Sequence, residues 1–307
     1  MKNFEIKKIL VPIDFSSNSM NALQTAVAMA KRHNADLKLL HVFDIDNTLY
    51  PEDNMGSNSN PEVAIKSLSR LAASVKSGDG INCGIAYISG FISNAILQTA
   101  KSDNADIIVM GKNGNSGHRD SYAGTNSYYV VKKSHCPVLL IPSGKMYENF
   151  TDVLFPARPV ISVFEKYDLI RPIILKNNAT LHVVGLRNPE YIEELHIISK
   201  LTEILKEQSL ADHFNTTIDY YFKDNKFAAH LLDIIYKKEY PYDLLVISAE
   251  LDNNIKDYYL GDYGQQLIHQ CPIPLLIIRA TTTIASKTEV LKVLETSFVK
   301  AGESAVV

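Results

Sequence analysis

Short, continuous apolar runs rich in β-branched residues recur along the chain and alternate with segments of helical spacing. In the N-terminal half the predicted strands are Lys8–Pro12, Leu37–Phe43, Asn82–Ser89, Ile107–Met110 and Val138–Ile141. Runs of this kind are typical of parallel strands that are buried on both faces. Between them, apolar residues at helical spacing predict helices over Ser17–Asn34, Val63–Lys76 and Ile92–Ser102.

The same pattern occurs a second time further along the chain. The segment Ile9–Pro12 reads ILVP and Val153–Pro156 reads VLFP, while Asp106–Val109 matches Asp243–Val246. The second half then has predicted strands at Val153–Pro156, Thr180–Leu186, Thr217–Phe222, Leu244–Ser248 and Leu275–Ile278. Alternation of strands and helices implies right-handed crossovers, so the sequence predicts an α/β protein with two tandem, doubly wound, five-stranded parallel sheets.

Composition and charge exclude several classes of protein. The chain has 307 residues, 46% of them hydrophobic, with 31 Lys and Arg against 34 Asp and Glu. This near balance gives no basic excess for a nucleic-acid or acidic-membrane surface, and no apolar run is long enough to span a bilayer. The three cysteines, Cys83, Cys136 and Cys271, have neither disulfide-framework nor zinc-site spacing. We expect a soluble cytoplasmic protein without a signal peptide.

A ligand-binding site is expected where the strand order reverses, beyond the carboxyl ends of the first and fourth strands. The first predicted strand leads into Pro12–Asp14. The fourth leads into Gly111, Gly114 and, after nine further residues, the run Gly124–Ser127. Glycines allow a backbone to approach phosphate oxygens, and a Thr-Asn-Ser run that begins a helix adds hydroxyls to free N–H groups. The pattern predicts a polyphosphate cradle that lacks the P-loop lysine.

Together with His41-Val42 and Cys136–Leu139, these motifs resemble the universal stress protein family, in particular its ATP-binding branch. The resemblance covers nearly the whole chain as a tandem pair. It implies a universal stress protein-like nucleotide-binding domain over residues 1–145, a degenerate copy over 146–281 and a C-terminal tail over 282–307. The fold implied is Rossmann-like, of the adenine nucleotide alpha hydrolase-like type.

The resemblance also assigns candidate residues for ATP. The matching positions are Pro12, Ile13, Asp14, Val42, Met110, Gly111, Gly114, Gly124, Thr125, Asn126 and Ser127. By this likeness, Asp14 and the backbone of Val42 hold the adenosine end, and Gly111 and Gly114 line the ribose and phosphate path. The run Gly124–Ser127 receives the phosphates, to which Mg²⁺ is expected to bind with few protein carboxylates.

Structural explanations exist for single residues, and other functions stay open. Pro12, which with Met110 would wall the pocket, also ends a strand, and Asp14 also suits a helix cap. Lys112 or Arg119 is a candidate to meet phosphate charge, and a solvated loop charge is an equally good explanation of either residue. The leading hypothesis is a stress-response regulator without a catalytic residue. The alternatives are a slow ATPase or self-phosphorylating enzyme, and a scaffold whose second half binds an apolar or protein ligand.

The second half departs from the nucleotide pattern. Asp14 is replaced by Arg158, Gly111 by Ser248, Gly114 by Leu251 and Thr125 by Asp262, although Gly261 is kept. A carboxylate in place of a phosphate-binding hydroxyl repels phosphate, so we predict one nucleotide site per chain. The resemblance further implies an intramolecular pseudo-dimer of the two halves through their last strands, with a further homodimer left open. No protein-borne metal site is predicted.

Overall fold

The computed structural model describes residues 4–44, 60–113, 125–158, 162–187, 192–222, 227–237, 241–252, 257–259 and 261–283. The chain separates into two units. The first comprises Met1–Phe150 with Ile268–Ile277, and the second comprises Thr151–Leu267 with Ile278–Val307. The first unit therefore includes a short segment from far along the chain. Most of the polar segment Asp44–Pro61, which is rich in Asn, Ser and Asp, and nearly all of the predicted tail lie outside the described residues.

The first unit is a parallel sheet whose strands alternate with helices. Its strands are β1 (Lys8–Pro12), β2 (Asp36–Asp44), β3 (Cys83–Gly90), β4 (Ile107–Gly111) and β5 (Val138–Ile141). Its helices are α1 (Ser17–His33), α2 (Pro61–Asp79), α3 (Ile92–Ser102) and α4 (Thr125–Lys133). The parallel order β3-β2-β1-β4-β5 reverses direction at β1. The predicted doubly wound α/β fold is confirmed.

Local sequence signals set the helix ends in this unit. Ser16 precedes α1, and its Oγ accepts a hydrogen bond from Ser19 N at 3.2 Å. Asn34 ends α1 in the left-handed conformation, with φ of 52°. Asn60 accepts from Glu62 N at 2.9 Å and so caps α2. Each contact satisfies a backbone group that the helix leaves unpaired.

The second unit repeats the alternation of strands and helices. Its strands include β6 (Asp152–Ala157), β7 (Thr180–Arg187), β8 (Asn215–Phe222), β9 (Leu244–Asp252) and β10 (Asp257–Tyr259). Its helices include α5 (Ser162–Asn177), α6 (Ile192–Ala211), α7 (Phe227–Lys237) and the first seven residues of α8 (Gly261–Gln270), whose last three residues belong to the first unit. Strands β9, β6, β7 and β8 are parallel in that order, whereas β10 pairs antiparallel with β9. The last strand, β11 (Leu275–Thr283), begins in the first unit, where Leu275–Ile277 pairs antiparallel with β5.

One hydrogen-bond motif is common to both units. Asp106 Oδ2 accepts from the backbone N–H groups of Lys7 and Lys8, each at 2.8 Å. Asp243 accepts from the two corresponding N–H groups at the start of β6, at 2.7 and 3.1 Å. In each unit an aspartate that directly precedes a strand thus holds the start of the neighbouring strand. This agreement supports the internal repeat inferred from the sequence.

No described helix combines the length and apolarity needed to cross a bilayer.

The core lies on the two faces of the sheets. In β1, for example, Ile9, Leu10 and Val11 are all at most 1% exposed. Burial of successive residues on opposite faces is the expected pattern for a parallel strand covered by helices on both sides.

Candidate functional site

The carboxyl ends of β1 and β2 are tied together by main-chain and side-chain hydrogen bonds. Pro12 ends β1 opposite Leu40, and Ile13 N donates to Leu40 O at 2.7 Å. The buried His41 Nδ1 donates to Ile13 O at 2.7 Å, since a carbonyl oxygen only accepts. The predicted residues Pro12 and Ile13 are therefore fixed where the chain leaves the sheet toward α1.

Asp14 is hydrogen-bonded to Ser16, the residue that caps α1. Its Oδ1 accepts from Ser16 N at 3.0 Å and from Ser16 Oγ at 2.6 Å, and the same Oγ accepts from Ser19 N. The carboxylate is half-buried. Asp14 thus binds the N-cap residue Ser16 and does not itself accept from an amide of α1 in these contacts, and its contact with a nucleotide stays a prediction.

An aromatic row lies beside this segment and was not predicted as part of the site. The Phe15 and His41 ring centroids are 4.9 Å apart, and those of His41 and Tyr87 are 5.8 Å apart. Phe15 has a φ of 61°, which is rare for a bulky residue. Val42, next to His41 in β2, is half-buried and lies opposite Ile88 of β3. His41 and Tyr87 lie opposite each other in neighbouring strands. The sequence shows both aromatic rings but not the strand register that brings them together, so the row was missed.

Met110 and Gly111 end β4, the other neighbour of β1. Met110 is buried. A Cβ on Gly111 would come within 3.1 Å of Asn18 C, 3.2 Å of Asn18 Cβ and 3.2 Å of Asn113 O. Glycine at this position therefore allows the first turn of α1 to approach β4 closely, independently of any phosphate.

Lys112 and Ser127 are both buried and hydrogen-bonded within the first unit. Lys112 is buried, and its Nζ donates to His269 O at 2.6 Å and to Cys271 O at 3.1 Å. Ser127 is also buried, and its Oγ donates to Lys112 O at 2.7 Å. The Lys112 ammonium, a candidate to meet phosphate charge, is bound by carbonyl oxygens of the first unit. The phosphate contact predicted for Ser127 stays a prediction.

Part of the predicted cradle lies outside the described residues. This applies to Gly114, Gly124 and Arg119, and to the side chain of Thr125, whose backbone begins α4. Asn126 is half-buried in the first turn of that helix. The structure brings the carboxyl ends of β1, β2 and β4 to the same edge of the sheet.

One buried polar atom at this edge has no described partner. Asn113 follows Lys112, and its Oδ1 is shielded from solvent without a hydrogen-bond donor among the residues that the structure describes. A buried acceptor left unpaired costs about 1–3 kcal/mol. A donor from outside this set of residues is therefore expected at Asn113.

The second unit has a hairpin where the first has its glycine-rich segment. Strand β9 continues to Asp252, past the predicted end at Ser248, and pairs with β10. Leu251, which replaces Gly114, lies opposite Tyr258. The backbone that would have to surround phosphates is thus engaged in strand pairing.

Side chains also fill the corresponding edge of the second unit. The Arg158 guanidinium lies 5.0 Å from the centroid of the Tyr263 ring, and Ser162 Oγ is 3.2 Å from Ser248 Oγ. Arg158, Ser248 and Tyr263 help to line a cavity of about 10 Å³, the space of one water molecule. Arg158 and Ser248 thus use their side chains for contacts within the unit.

Among the described residues, no group of three or more His, Cys, Asp or Glu side chains is arranged to hold a metal ion. The three cysteines are free thiols. Burial raises the pKa of the Cys83 and Cys271 thiols to about 11. Both are therefore protonated at neutral pH and poor nucleophiles.

Comparison with known proteins gives the family. The profile of the universal stress protein family matches residues 5–142. Universal stress protein YxiE of Bacillus subtilis is 32% identical over 144 residues, which cover 97% of that protein and 44% of this chain. The chain belongs to the universal stress protein family.

Other members of the family agree with this assignment. A universal stress protein of Methanocaldococcus jannaschii is 27% identical over 146 residues, covering 84% of it and 45% of this chain. Among solved structures, a universal stress protein of Archaeoglobus fulgidus aligns with a TM-score of 0.69 at 16% identity. That alignment covers 90% of this chain and 99% of the other, so the universal stress protein fold extends over most of the chain.

Proposed function

We propose that the first unit binds ATP at the carboxyl ends of β1, β2 and β4 and acts as a ligand-dependent regulator. Asp14 and the main chain of Val42 would hold the adenosine end, and Gly111 and Gly114 would line the ribose and phosphate path. The run Gly124–Ser127 would receive the phosphates at the start of α4, where free N–H groups favour anions. Mg²⁺ would be held mainly by the phosphates.

The proposal rests on the residues that meet at the carboxyl ends of β1, β2 and β4. Residues separated widely in the sequence meet where the strand order reverses, which is the usual ligand position in such sheets. The buried Asn113 Oδ1 at this edge lacks a donor among the described residues, and a ribose hydroxyl or an adenine amino group is a donor of suitable chemistry. The residues present therefore fit a nucleoside phosphate.

The described residues favour a regulator over a rapid enzyme. His41, the imidazole of this edge, is buried with Nδ1 bound to Ile13 O. Lys112 is bound to two carbonyl oxygens, and Ser127 Oγ donates to Lys112 O. None of the three is thus arranged as a general base or as a cation on the transferred phosphate. Slow hydrolysis or self-phosphorylation, and a scaffold role, are the alternatives.

The test is calorimetric titration of the full chain with ATP, with Asp14→Asn as the variant. Asparagine keeps an Oδ1 that accepts from Ser16, so the α1 cap is retained while the charge is lost. We expect at least about tenfold weaker binding, because a charge-assisted hydrogen bond contributes about 1.5 kcal/mol or more. Asp36→Asn, an exposed site at the opposite end of β2, is the matched control and should bind as the wild type does.

Absence of ATP binding by the wild type overturns the proposal. Release of inorganic phosphate should be followed in the same samples. We expect far less than one turnover per second, and multiple turnovers per second would favour the enzyme alternative.

A further inference from the structure

An open cavity of about 390 Å³ lies in the first unit at the amino ends of β1, β2 and β3, away from the carboxyl ends that carry the proposed nucleotide site. Its lining includes Leu10 of β1, Lys38 of β2 and Gly84 of β3, which are in register and therefore on one face of the sheet. The end of α3 and the residues that follow it, Ser102–Ala105, line another side. All of these residues belong to the described part of the chain.

Two small residues keep this cavity open. Gly84 has no side chain, and the buried Ala105 has only a methyl group. By strand register and by the sequence repeat, the second unit has Thr217 and Tyr242 at these two positions. The nearest described atom to a Cβ added at Gly84 is Lys38 Cδ at 3.4 Å, which is ordinary van der Waals contact. The backbone therefore does not require glycine here, and what this glycine provides is space.

The second unit closes the equivalent place with a hydrogen-bonded row of side chains. His182, which corresponds to Lys38, is 4% exposed. Its Nδ1 lies 2.9 Å from Thr217 Oγ1, and its Nε2 lies 3.0 Å from Asp152 Oδ1. The Tyr242 ring meets the His182 ring edge-on, with the centroids 5.2 Å apart. Where the second unit has polar groups that pair with each other, the first unit thus has an open cavity.

Charged groups of both signs line this cavity, and their charges sum to zero: Lys8, Lys38, Asp36 and Asp103. Lys8 Nζ donates to Asp103 O at 3.1 Å. Lys38 Nζ lies 3.4 Å from Asp103 Oδ2, whereas a charge-assisted hydrogen bond is about 2.7–2.9 Å long. Asp36 is exposed, and its carboxylate forms no ion pair within the described part of the chain. One ammonium and one carboxylate are therefore available to a ligand.

The arrangement of these charges selects the charge type of the ligand. Asp36 and Lys38 are two residues apart on β2, so their side chains lie on the same face of the sheet. A net anion bound here would lie beside two carboxylates, and a net cation beside two ammonium groups, so each would meet repulsion. A ligand with one charge of each sign pairs with both. The lining also includes the apolar residues Ile9, Leu10 and Leu37, which suit an uncharged remainder.

We propose that this cavity is a second ligand site of the first unit and that it takes a free amino acid. The Lys38 ammonium binds the carboxylate of the ligand, and the Asp36 carboxylate binds its ammonium group. The volume of the cavity is in the range of small-molecule sites, about 300–1,000 Å³. The proposal does not depend on nucleotide binding, because the cavity shares no lining residue with the proposed ATP site.

The first test is thermal denaturation of the full chain with each of the standard amino acids at millimolar concentration, followed by calorimetric titration with the one that stabilises most. At least one should raise the melting temperature, because a ligand that binds the folded state stabilises it. The same amino acid with its amino group acetylated and its carboxyl group amidated lacks both charges and should bind at least about tenfold more weakly. Stabilisation by none of them, or equal binding of the blocked compound, would overturn the inference.

The second test locates the site with Gly84→Thr, which gives the first unit the side chain that the second unit has at this position. Binding of the same amino acid should fall at least about tenfold. Ile85→Thr, at the exposed next position of β3 on the opposite face of the sheet, is the matched control and should stay within about twofold of the wild type.

Lys38→Met removes the charge that pairs with the ligand and should also weaken binding at least about tenfold. Lys66→Met, at an exposed position of α2, is the control for loss of one positive charge and should bind as the wild type does. Unchanged binding by either Gly84→Thr or Lys38→Met would overturn the inference. A wild type that does not bind ATP contradicts the proposed function and leaves this inference in place.

Discussion

Gly111 illustrates how one residue type can satisfy two requirements. The close approach of Asn18 already demands a residue without a side chain, whether or not a phosphate passes nearby. The family motif alone would assign this glycine to the ligand. A stability measurement separates the packing requirement from the binding requirement.

We predict that Gly111→Ala lowers the free energy of unfolding by about 1–3 kcal/mol, because the new Cβ would lie 3.1–3.2 Å from Asn18 atoms. Urea denaturation of the ligand-free protein measures this effect. Gly78→Ala is the control: Gly78 lies in α2 with nothing within 4 Å of the added Cβ, so the change should be neutral or stabilising by up to about 1 kcal/mol. Unchanged stability of Gly111→Ala would mean that Asn18 moves aside freely.

Lys112 gives a pH-dependent signature of stability. Burial lowers the pKa of Lys112 below its ordinary value of 10.5, so between the two values the unfolded chain binds more protons than the folded one. Stability then rises with pH through this interval. We predict that the wild type gains stability relative to Lys112→Met as the pH approaches 10.5, in denaturation experiments at constant ionic strength. If the stability difference between the wild type and Lys112→Met stays constant or falls as the pH rises, the burial of the charged amine is contradicted.

The partners of Lys112 were beyond the reach of sequence reasoning for a simple reason. A lysine beside glycines and asparagines suggests a solvated loop, and the His269 carbonyl is 157 residues away. Main-chain acceptors carry no residue-type signal at all. Asp14 was more accessible, because an aspartate two residues before Ser16 is a local capping pattern.

At the scale of elements, continuous apolar runs were the reliable signal. Strands Lys8–Pro12 and Val138–Ile141 and helix Ile92–Ser102 match the predicted bounds. The hairpin of β9 and β10 was missed, since its residues are mostly polar or aromatic and its pairing depends on the strand before it. The predicted strand ended at Ser248, four residues short of the structure.

The hairpin makes a specific prediction about stoichiometry. We expect one ATP per chain by calorimetry, and we expect Leu251→Gly to leave that number at one, because pairing with Tyr258 is a main-chain contact that glycine retains. Gly114→Leu, the reverse exchange in the first half, should abolish binding. A second site in the wild type or in Leu251→Gly would show that the hairpin does not exclude phosphate.

At the scale of the whole molecule, β5 has an apolar edge that needs a partner. In the first unit this partner is Leu275–Ile277, which pairs with Val138–Leu140. Unpaired apolar edges associate with other chains. The pseudo-dimer of the two halves that the family resemblance implies stays a prediction.

We predict that a fragment of residues 1–150 is a dimer by light scattering. The control is the same fragment with residues 268–277 attached through a flexible linker, which should be a monomer because the β5 edge is paired internally. A fragment 1–150 that stays monomeric at high concentration would contradict this use of the edge.

The assignment of Ile268–Ile277 to the first unit has a consequence for synthesis on the ribosome. A growing chain contains β1 to β5 long before it contains the strand that covers β5. At about 5–20 residues per second, residues 151–267 take about 6–24 s to translate. For that time the first unit is exposed with its edge open and with Lys112 lacking its acceptors. Neighbouring nascent chains on one messenger would then be in a position to pair through β5, so timely access of a chaperone is expected to matter more for this chain than for single-unit relatives.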